Sequence, residues 1–294
     1  ARQKLAALRG PSLQTRTGLY FDEGPIGGTV AFLFPGEMGQ YPGMLRDAAQ
    51  AFPGVRAWFD DVAALSEGRR EARLQDVIFP PDTHLGADGA RLLGELIHRV
   101  DYGSEMVFAA DQGVFGLLTA MGVRADAMLG HSTGENAALV ASGRLAMGRA
   151  EVAAMIGRMN EVFGEVEASG AVPSGVLLNV AALERERLDA LLARHPDLHF
   201  TMDNCPNQAI LFGSEEDVAR AAEEAAGEGA VCTRLPISWG YHTRHVQPMA
   251  EAFGALFEEV GQQDGGVALY SCATAAPFPA DREGFRATAV AQYT

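Results

Sequence analysis

The segment that runs from Ala127–Leu129 through Gly130–Gly134 into Gly134–Ser142 constrains the fold most. Ala127–Leu129 is a short apolar run, Gly130–Gly134 has the sequence GHSTG, and Gly134–Ser142 has helical periodicity. The two glycines around Ser132 let the backbone turn tightly between a strand and a helix. This strand–turn–helix order predicts an α/β fold with a parallel sheet.

The same turn is a candidate nucleophile elbow, in which a serine hydroxyl projects from a strained backbone. The helix that follows directs its free N–H groups and its positive dipole end toward Ser132. The backbone N–H of Thr133 could then bind a developing oxyanion. The alternative is an ordinary strand-to-helix turn with Ser132 as the helix N-cap.

Two further segments support a large α/β unit. Thr29–Phe34 is a continuous apolar run, which predicts a strand buried in a parallel sheet. Glu105–Met121 has apolar residues at helical spacing, and Gly122 follows as a C-terminal cap. Residues 1–28 are polar and end in a glycine-rich turn, so we interpret them as a linker.

Residues 172–238 have a different pattern of predicted secondary structure, with six short elements in the order βαββαβ. This order is the ferredoxin-like pattern. We therefore predict an α/β-hydrolase-like core at residues 29–168 and 239–294, with a ferredoxin-like subdomain inserted at residues 169–238. The predicted elements are Val172–Val180, Ala182–His195, His199–Asn204, Gln208–Phe212, Glu215–Ala225 and Ala230–Ile237.

Composition limits the function classes. The chain is 48% apolar and 21% charged, as expected of a globular enzyme, and it has no apolar run of the ~18–20 residues that span a bilayer. A net charge of −15 argues against nucleic acid and anionic membranes as partners. Arg69, Arg70 and Arg73 form a candidate basic cluster for an acidic partner, with a solvated helix face as the alternative.

Cys205, Cys232 and Cys272 are too few and too scattered for a disulfide framework or a metal site. We expect reduced, buried thiols in a cytoplasmic protein with no bound metal or redox cofactor. The chain starts with neither a methionine nor an apolar signal segment, which suggests a piece of a longer polypeptide.

A second glycine-rich loop follows the first strand, and its sequence from Phe34 is FPGEMGQYPGM. With GHSTGE at Gly130–Glu135, this loop resembles the malonyl-CoA:acyl-carrier-protein transacylase family, which includes acyltransferase domains of polyketide and fatty acid synthases. The resemblance runs from about Ala31 to Phe278. Glu37 stands where the family has Gln, and Ser104-Glu105 stand where it has Gln-Pro. Synthases of the iterative polyketide or polyunsaturated fatty acid kind look most similar.

The resemblance implies a Ser–His dyad. Tyr241–Pro248 aligns with the family's FHSPLMEP, which makes His242 the base and leaves His245 structural or at the surface. The seven histidines alone would leave this choice open. In the family a backbone carbonyl from a segment that begins Tyr-Trp orients the base, and Tyr293-Thr294 would be the start of that segment. The alternatives are an orienting group outside this chain or one supplied by another residue. The backbone N–H of Glu37 would complete the oxyanion hole with that of Thr133.

The resemblance also implies an acyl-binding site. The family's carboxylate-binding arginine falls at Gly157, so we assign the role to Arg158 with a one-residue slip, and a surface arginine is the alternative. A bulky Tyr241 would exclude an α-methyl group and favour malonyl. Asn204 could hold the acyl carbonyl or a water, or only shape a turn. His131 and Gln40 complete the predicted substrate contacts.

The expected reaction is ping-pong transfer of malonyl from coenzyme A through Ser132 to the phosphopantetheine thiol of an acyl carrier protein. Neighbouring domains of a multidomain synthase are the other expected partners. Two alternatives stay open. One is an acyl-CoA thioesterase or another serine hydrolase, in which His would usually lie close to the C-terminus. The other is a non-catalytic docking domain of a synthase.

Overall fold

The computed structural model describes residues 12–16, 20–22, 24, 27–65, 70, 72–80 and 86–294. The strands are β1 Ser12–Gln14, β2 Tyr20–Asp22, β3 Ala31–Phe34, β4 Ala127–Gly130, β5 Val176–Ala181, β6 His199–Cys205, β7 Gln208–Gly213, β8 Val231–Arg234, β9 Ala268–Ser271 and β10 Ala276–Pro277. The helices are α1 Arg46–Ala51, α2 Pro53–Ala64, α3 Leu74–Ile78, α4 Ala87–Leu96, α5 Val100–Ala120, α6 Thr133–Ala141, α7 Arg149–Ser169, α8 Arg185–Arg194, α9 Glu215–Gly227, α10 Gln247–Glu258 and α11 Arg282–Ala291.

The larger unit is built on a four-stranded sheet in the order β10-β9-β4-β3. Strands β3, β4 and β9 are parallel, and Phe34 pairs with Gly130 at their carboxyl ends. Because carboxyl ends of parallel strands share one edge of the sheet, the loop after β3 meets the turn after β4. The predicted α/β class with a parallel sheet is therefore confirmed.

The prediction that Thr29–Phe34 is buried was wrong in part. Strand β3 lies at the edge of the described sheet, and the Leu33 side chain is 70% exposed while Phe34 is 5% exposed. An apolar run is compatible with burial on both faces, but only one face of this edge strand packs against the core.

The second sheet has the order β6-β7-β5-β8, and all its strand pairs are antiparallel. Two helices, α8 and α9, pack on one face of it around Leu178, Leu191 and Leu211. Ser214 caps α9 by accepting a hydrogen bond from the Asp217 N–H. The βαββαβ unit thus has the ferredoxin-like strand order expected from the sequence. The domain boundaries at residues 29, 169 and 239 stay predictions.

Helix α5 begins five residues before the predicted Glu105. Its extra turn holds Tyr102, which is fully buried and exchanges two hydrogen bonds with the backbone of Ala72. The turn also contains polar residues such as Asp101 and Ser104, so apolar periodicity alone did not detect it.

The three cysteines are free, but the expectation that they are buried was wrong for two of them. Cys205 ends β6 next to a hairpin turn and Cys272 follows β9, and both are exposed, whereas Cys232 is partly buried. No described helix is long and apolar enough to cross a lipid bilayer. Most of the predicted linker at residues 1–28 lies outside the described residues.

The proposed basic cluster does not form a free cationic surface in the described part of the chain. Arg70 is largely buried against Glu105, and exposed Arg73 pairs with Asp76 at 2.8 Å. Arg69 lies outside the described residues. The arginines at 70 and 73 are therefore engaged within this chain.

Leu211 and Leu33 form a matched pair for testing this packing. Leu211 is fully buried in the ferredoxin-like core, so Leu211→Ala should lower the free energy of unfolding by about 2–5 kcal/mol. Leu33→Ala should change it by less than about 0.5 kcal/mol. Urea unfolding followed by circular dichroism measures both, and equal losses would contradict the edge position of β3.

Candidate active site

Ser132 lies in the turn between β4 and α6 with φ 54° and ψ −127°, a strained conformation for a non-glycine residue. The flanking glycines make this turn possible. A Cβ on Gly130 would lie 2.1 Å from the carbonyl oxygen of Gly134, and a Cβ on Gly134 would lie 2.0 Å from that of Phe34. Any larger residue at either position would force the turn open.

His242, which follows Ser132 by 110 residues in the sequence, contacts its side chain. Its Nε2 lies 3.1 Å from Ser132 Oγ, and its Nδ1 lies 2.7 Å from the backbone oxygen of Gln292. Because a carbonyl oxygen can only accept, Nδ1 carries the proton and Nε2 is free to accept from the serine hydroxyl. His242 also has a positive φ of 55°, so both members of the pair sit in strained backbone.

The imidazole of His242 is held in its neutral form. The pKa of His242 is lowered to about 4, mainly by burial; the charge of a protonated His131 acts in the same direction, and the Gln292 carbonyl opposes both. A neutral ring that donates through Nδ1 is the form able to remove a proton from Ser132.

The segment that carries the Gln292 carbonyl is fastened to the helix after the serine turn. Asn136 Oδ1 on α6 accepts hydrogen bonds from Gln292 Nε2 at 3.0 Å and from the Tyr293 hydroxyl at 2.9 Å. The resemblance placed the orienting carbonyl in the segment that begins at Tyr293, and the structure has it on the preceding residue, Gln292. Asn136 was not predicted. Asn136 lies four residues after Ser132, which places it on the helix that follows the serine turn. Nothing in the sequence shows what its side chain contacts.

The loop after β3 packs against the turn. Thr133 Oγ1 donates a hydrogen bond to Glu37 Oε1 at 2.6 Å, which ties the loop carboxylate to the first residue of α6. The Thr133 N–H, as the first N–H of the helix, has no partner within the helix. The structure thus brings Glu37, Thr133 and Ser132 together.

Gln40 does not face the cavity, so its predicted substrate contact was wrong. Its Oε1 accepts from the Met38 N–H at 2.7 Å, and its Nε2 donates to the Ile97 carbonyl at 3.0 Å. Gln40 is 6% exposed. Both ends of the amide are used to shape the loop that carries Glu37.

One cavity of about 440 Å³ opens beside the serine, and Ser132, His242, Thr133 and Glu37 all line it. Tyr241 lines it as well, and its buried hydroxyl has no hydrogen-bond partner. The other predicted contacts, His131 and Asn204, also lie on the wall, where His131 Nε2 is 3.1 Å from Asn204 Oδ1. This contact links the serine turn to the end of β6.

Arg158 lies outside the cavity, and its predicted role as carboxylate clamp was wrong. Its guanidinium forms a two-point ion pair with Glu259, at 2.6 and 3.1 Å, and its side chain is 50% exposed. The face of α7 that lines the cavity carries Met155, Met159 and Phe163. Arg158 lies on the opposite side of the helix, because positions line one face at spacings of three and four.

A buried ion pair forms another part of the cavity wall. Glu105 lines the cavity and accepts two hydrogen bonds from Arg70, at 2.7 and 2.6 Å, and a third from Asn160. Burial raises the pKa of Glu105 even though Arg70 acts in the opposite direction. Among the described residues, no group of three or more His, Cys, Asp or Glu side chains is placed to hold a metal ion.

Known proteins are similar to this chain in sequence and architecture. The acyl transferase domain family matches residues 31–282. The polyketide synthase GfsA of Streptomyces halstedii is 29% identical over 273 residues, which cover 92% of this chain and 3% of that protein.

Two solved structures have the same fold. The acyltransferase domain from the second module of the salinomycin polyketide synthase has a TM-score of 0.70 at 26% identity, over 91% of this chain and 57% of that one. A malonyl-transacylase solved in complex with its type II polyketide synthase acyl-carrier protein has a TM-score of 0.74 at 22% identity, over 90% of this chain and 81% of that one. With an α/β sheet, an inserted ferredoxin-like unit and a serine turn in the expected order, the chain belongs to the acyl transferase domain family.

Proposed function

We propose that the chain is an acyltransferase that moves an acyl group from a coenzyme A thioester through Ser132 to the phosphopantetheine thiol of an acyl carrier protein. The observation that carries this proposal is the chain of contacts from Ser132 through His242 to the carbonyl of Gln292. A serine at its ordinary pKa is a weak nucleophile, and an oriented neutral imidazole is what activates it.

The proposed reaction is ping-pong and uses one Ser–His pair in both halves. His242 Nε2 takes the proton of Ser132 as Oγ attacks the thioester carbon, and the C–S bond breaks when His242 returns the proton to the departing thiol. The carrier thiol then attacks the serine ester and the steps run in reverse. The chemistry needs no metal or redox group.

Charge that develops on the carbonyl oxygen would be held by the backbone N–H groups of Thr133 and Glu37. The carboxylate of Glu37 accepts from the Thr133 hydroxyl. This hydrogen bond gives the carboxylate a partner of its own, which supports its being held away from the oxyanion.

The acyl donor and the partners are inferred from relatives. The salinomycin domain is part of a polyketide synthase, and the solved transacylase is bound to a carrier protein. Carrier protein and neighbouring synthase domains are therefore the proposed partners here. A cytoplasmic location and an iterative synthase as the parent stay predictions.

Malonyl is the acyl group predicted from the sequence, and one solved relative is named a malonyl-transacylase. Of the two residues on which that prediction depended, Tyr241 lines the cavity and Arg158 does not. The proposed reaction therefore holds for an acyl group in general, and malonyl is the acyl group in the name of one solved relative.

Ser132→Ala and His242→Ala test the proposed pair. Intact-protein mass after brief mixing with acyl-CoA should show a single acyl adduct on the parent protein and none on Ser132→Ala. His242→Ala should slow acylation by roughly 10²- to 10⁴-fold, since proton transfer by a positioned base contributes about that much. His245→Ala is the matched control and should acylate at the parent rate. An adduct that persists in Ser132→Ala would contradict the assignment of the nucleophile.

The pH dependence follows from the pKa of His242. The ring must be neutral to accept a proton, and because its pKa is about 4 it stays neutral until the solution is strongly acidic. The single-turnover acylation rate should therefore stay flat between about pH 8 and 5 and fall only as pH approaches the pKa. Circular dichroism at each pH controls for unfolding. A midpoint close to the ordinary histidine value of about 6.5 would contradict the buried, neutral ring.

A further inference from the structure

The cavity beside Ser132 continues into the apolar core of the larger unit. Its apolar lining on α6, the α6–α7 connection, α7 and α10 includes Val140, Leu145, Met155, Met249, Phe253 and Phe257. We call this part of the cavity the acyl chamber. Leu145, Met249, Phe253 and Phe257 are each no more than 5% exposed. The acyl chamber therefore extends inward from the serine, away from bulk water.

No arginine or lysine among the described residues lines this cavity. The two carboxylates on its wall already have partners, since Glu37 accepts from Thr133 and Glu105 pairs with Arg70. The Arg70 guanidinium is also 3.8 Å from Asp101 and lies over the Tyr102 ring. Its charge is thus balanced before it could attract a ligand.

A malonyl group would bring its free carboxylate into this space. An ionised group that loses its water without gaining a cation pays a large desolvation cost. Transfer of an alkyl chain from water to the same cavity is favourable, because each methylene that is buried against an apolar wall increases the affinity. Methionines at Met155 and Met249 also adapt to ligands of varied shape.

We propose that the acyl chamber takes a neutral alkyl acyl group of several carbons, without a free carboxylate. This inference rests on the proposed function, because it names the substrate class of the same Ser132 acyl-enzyme. The bonds that form and break are those of the proposed reaction. A volume of about 440 Å³ lies within the range of small-molecule sites.

A matched pair of thioesters separates charge from shape. Isovaleryl-CoA has the branched shape of malonyl-CoA, with two methyl groups in place of the carboxylate oxygens. Acylation of Ser132 is measured by rapid-quench intact mass with each thioester and with acetyl-, butyryl- and hexanoyl-CoA. Isovaleryl should acylate at least about tenfold faster than malonyl. In the straight-chain series kcat/KM should rise roughly fourfold per methylene.

Three variants test which residues determine the preference between malonyl and alkyl acyl groups. Met155→Arg places a cation on the wall of the acyl chamber and should speed malonyl acylation while slowing hexanoyl acylation, and Met155→Leu is its control for packing. Arg158→Ala should change neither rate, since Arg158 lies on the opposite face of α7. Urea unfolding shows whether each variant is folded.

The outcomes distinguish the two proposals. Malonyl acylation as fast as isovaleryl acylation, or a malonyl rate that falls in Arg158→Ala, overturns the inference and leaves the acyltransferase proposal standing. Loss of malonyl acylation in His98→Gln would also overturn the inference, since it would make His98 the partner of the malonyl carboxylate. His98 lines the cavity and has a buried, unpartnered Nδ1. Failure of every thioester to label Ser132 overturns the proposed function and the inference with it.

Discussion

The parallel pairing of β3 with β4 is the constraint on which the site depends. It places the end of β3 against the serine turn so closely that the His131 N–H donates to the Phe34 carbonyl at 3.0 Å. Only a residue without Cβ fits at Gly134 in this approach. The same contact brings the loop with Glu37 onto the first turn of α6, so one backbone pairing supplies both the nucleophile and its surroundings.

The parts of the structure that were predictable are those that depend on local sequence. The tight turn around Ser132 requires glycines at 130 and 134, and the βαββαβ order is typical of the ferredoxin-like strand arrangement that the structure has. The position of His242 followed only from the resemblance. The structure places its Nε2 3.1 Å from Ser132 Oγ, although 110 residues separate the two in sequence.

The parts that were not predictable depend on helix faces and backbone atoms. A one-residue slip on α7 moves a side chain by about 100° around the helix, so Arg158 points to solvent although its sequence position was nearly right. The acceptor that orients His242 is the backbone carbonyl of Gln292, one residue before the segment that the resemblance indicated. Every residue has such a carbonyl, so the residue type at this position does not identify it. The pairing of Arg70 with Glu105 joins segments 35 residues apart, and no local pattern indicates it.

The acyl chamber has a consequence for the free protein. Protein interiors are normally filled to the density of organic crystals, and a void deprives the surrounding side chains of dispersion contacts. Phe253 and Phe257 line the cavity, so an alkyl tail on Ser132 would add dispersion contacts to both rings. The covalent intermediate would then be the better-packed species, with its alkyl tail serving as a temporary part of the protein core.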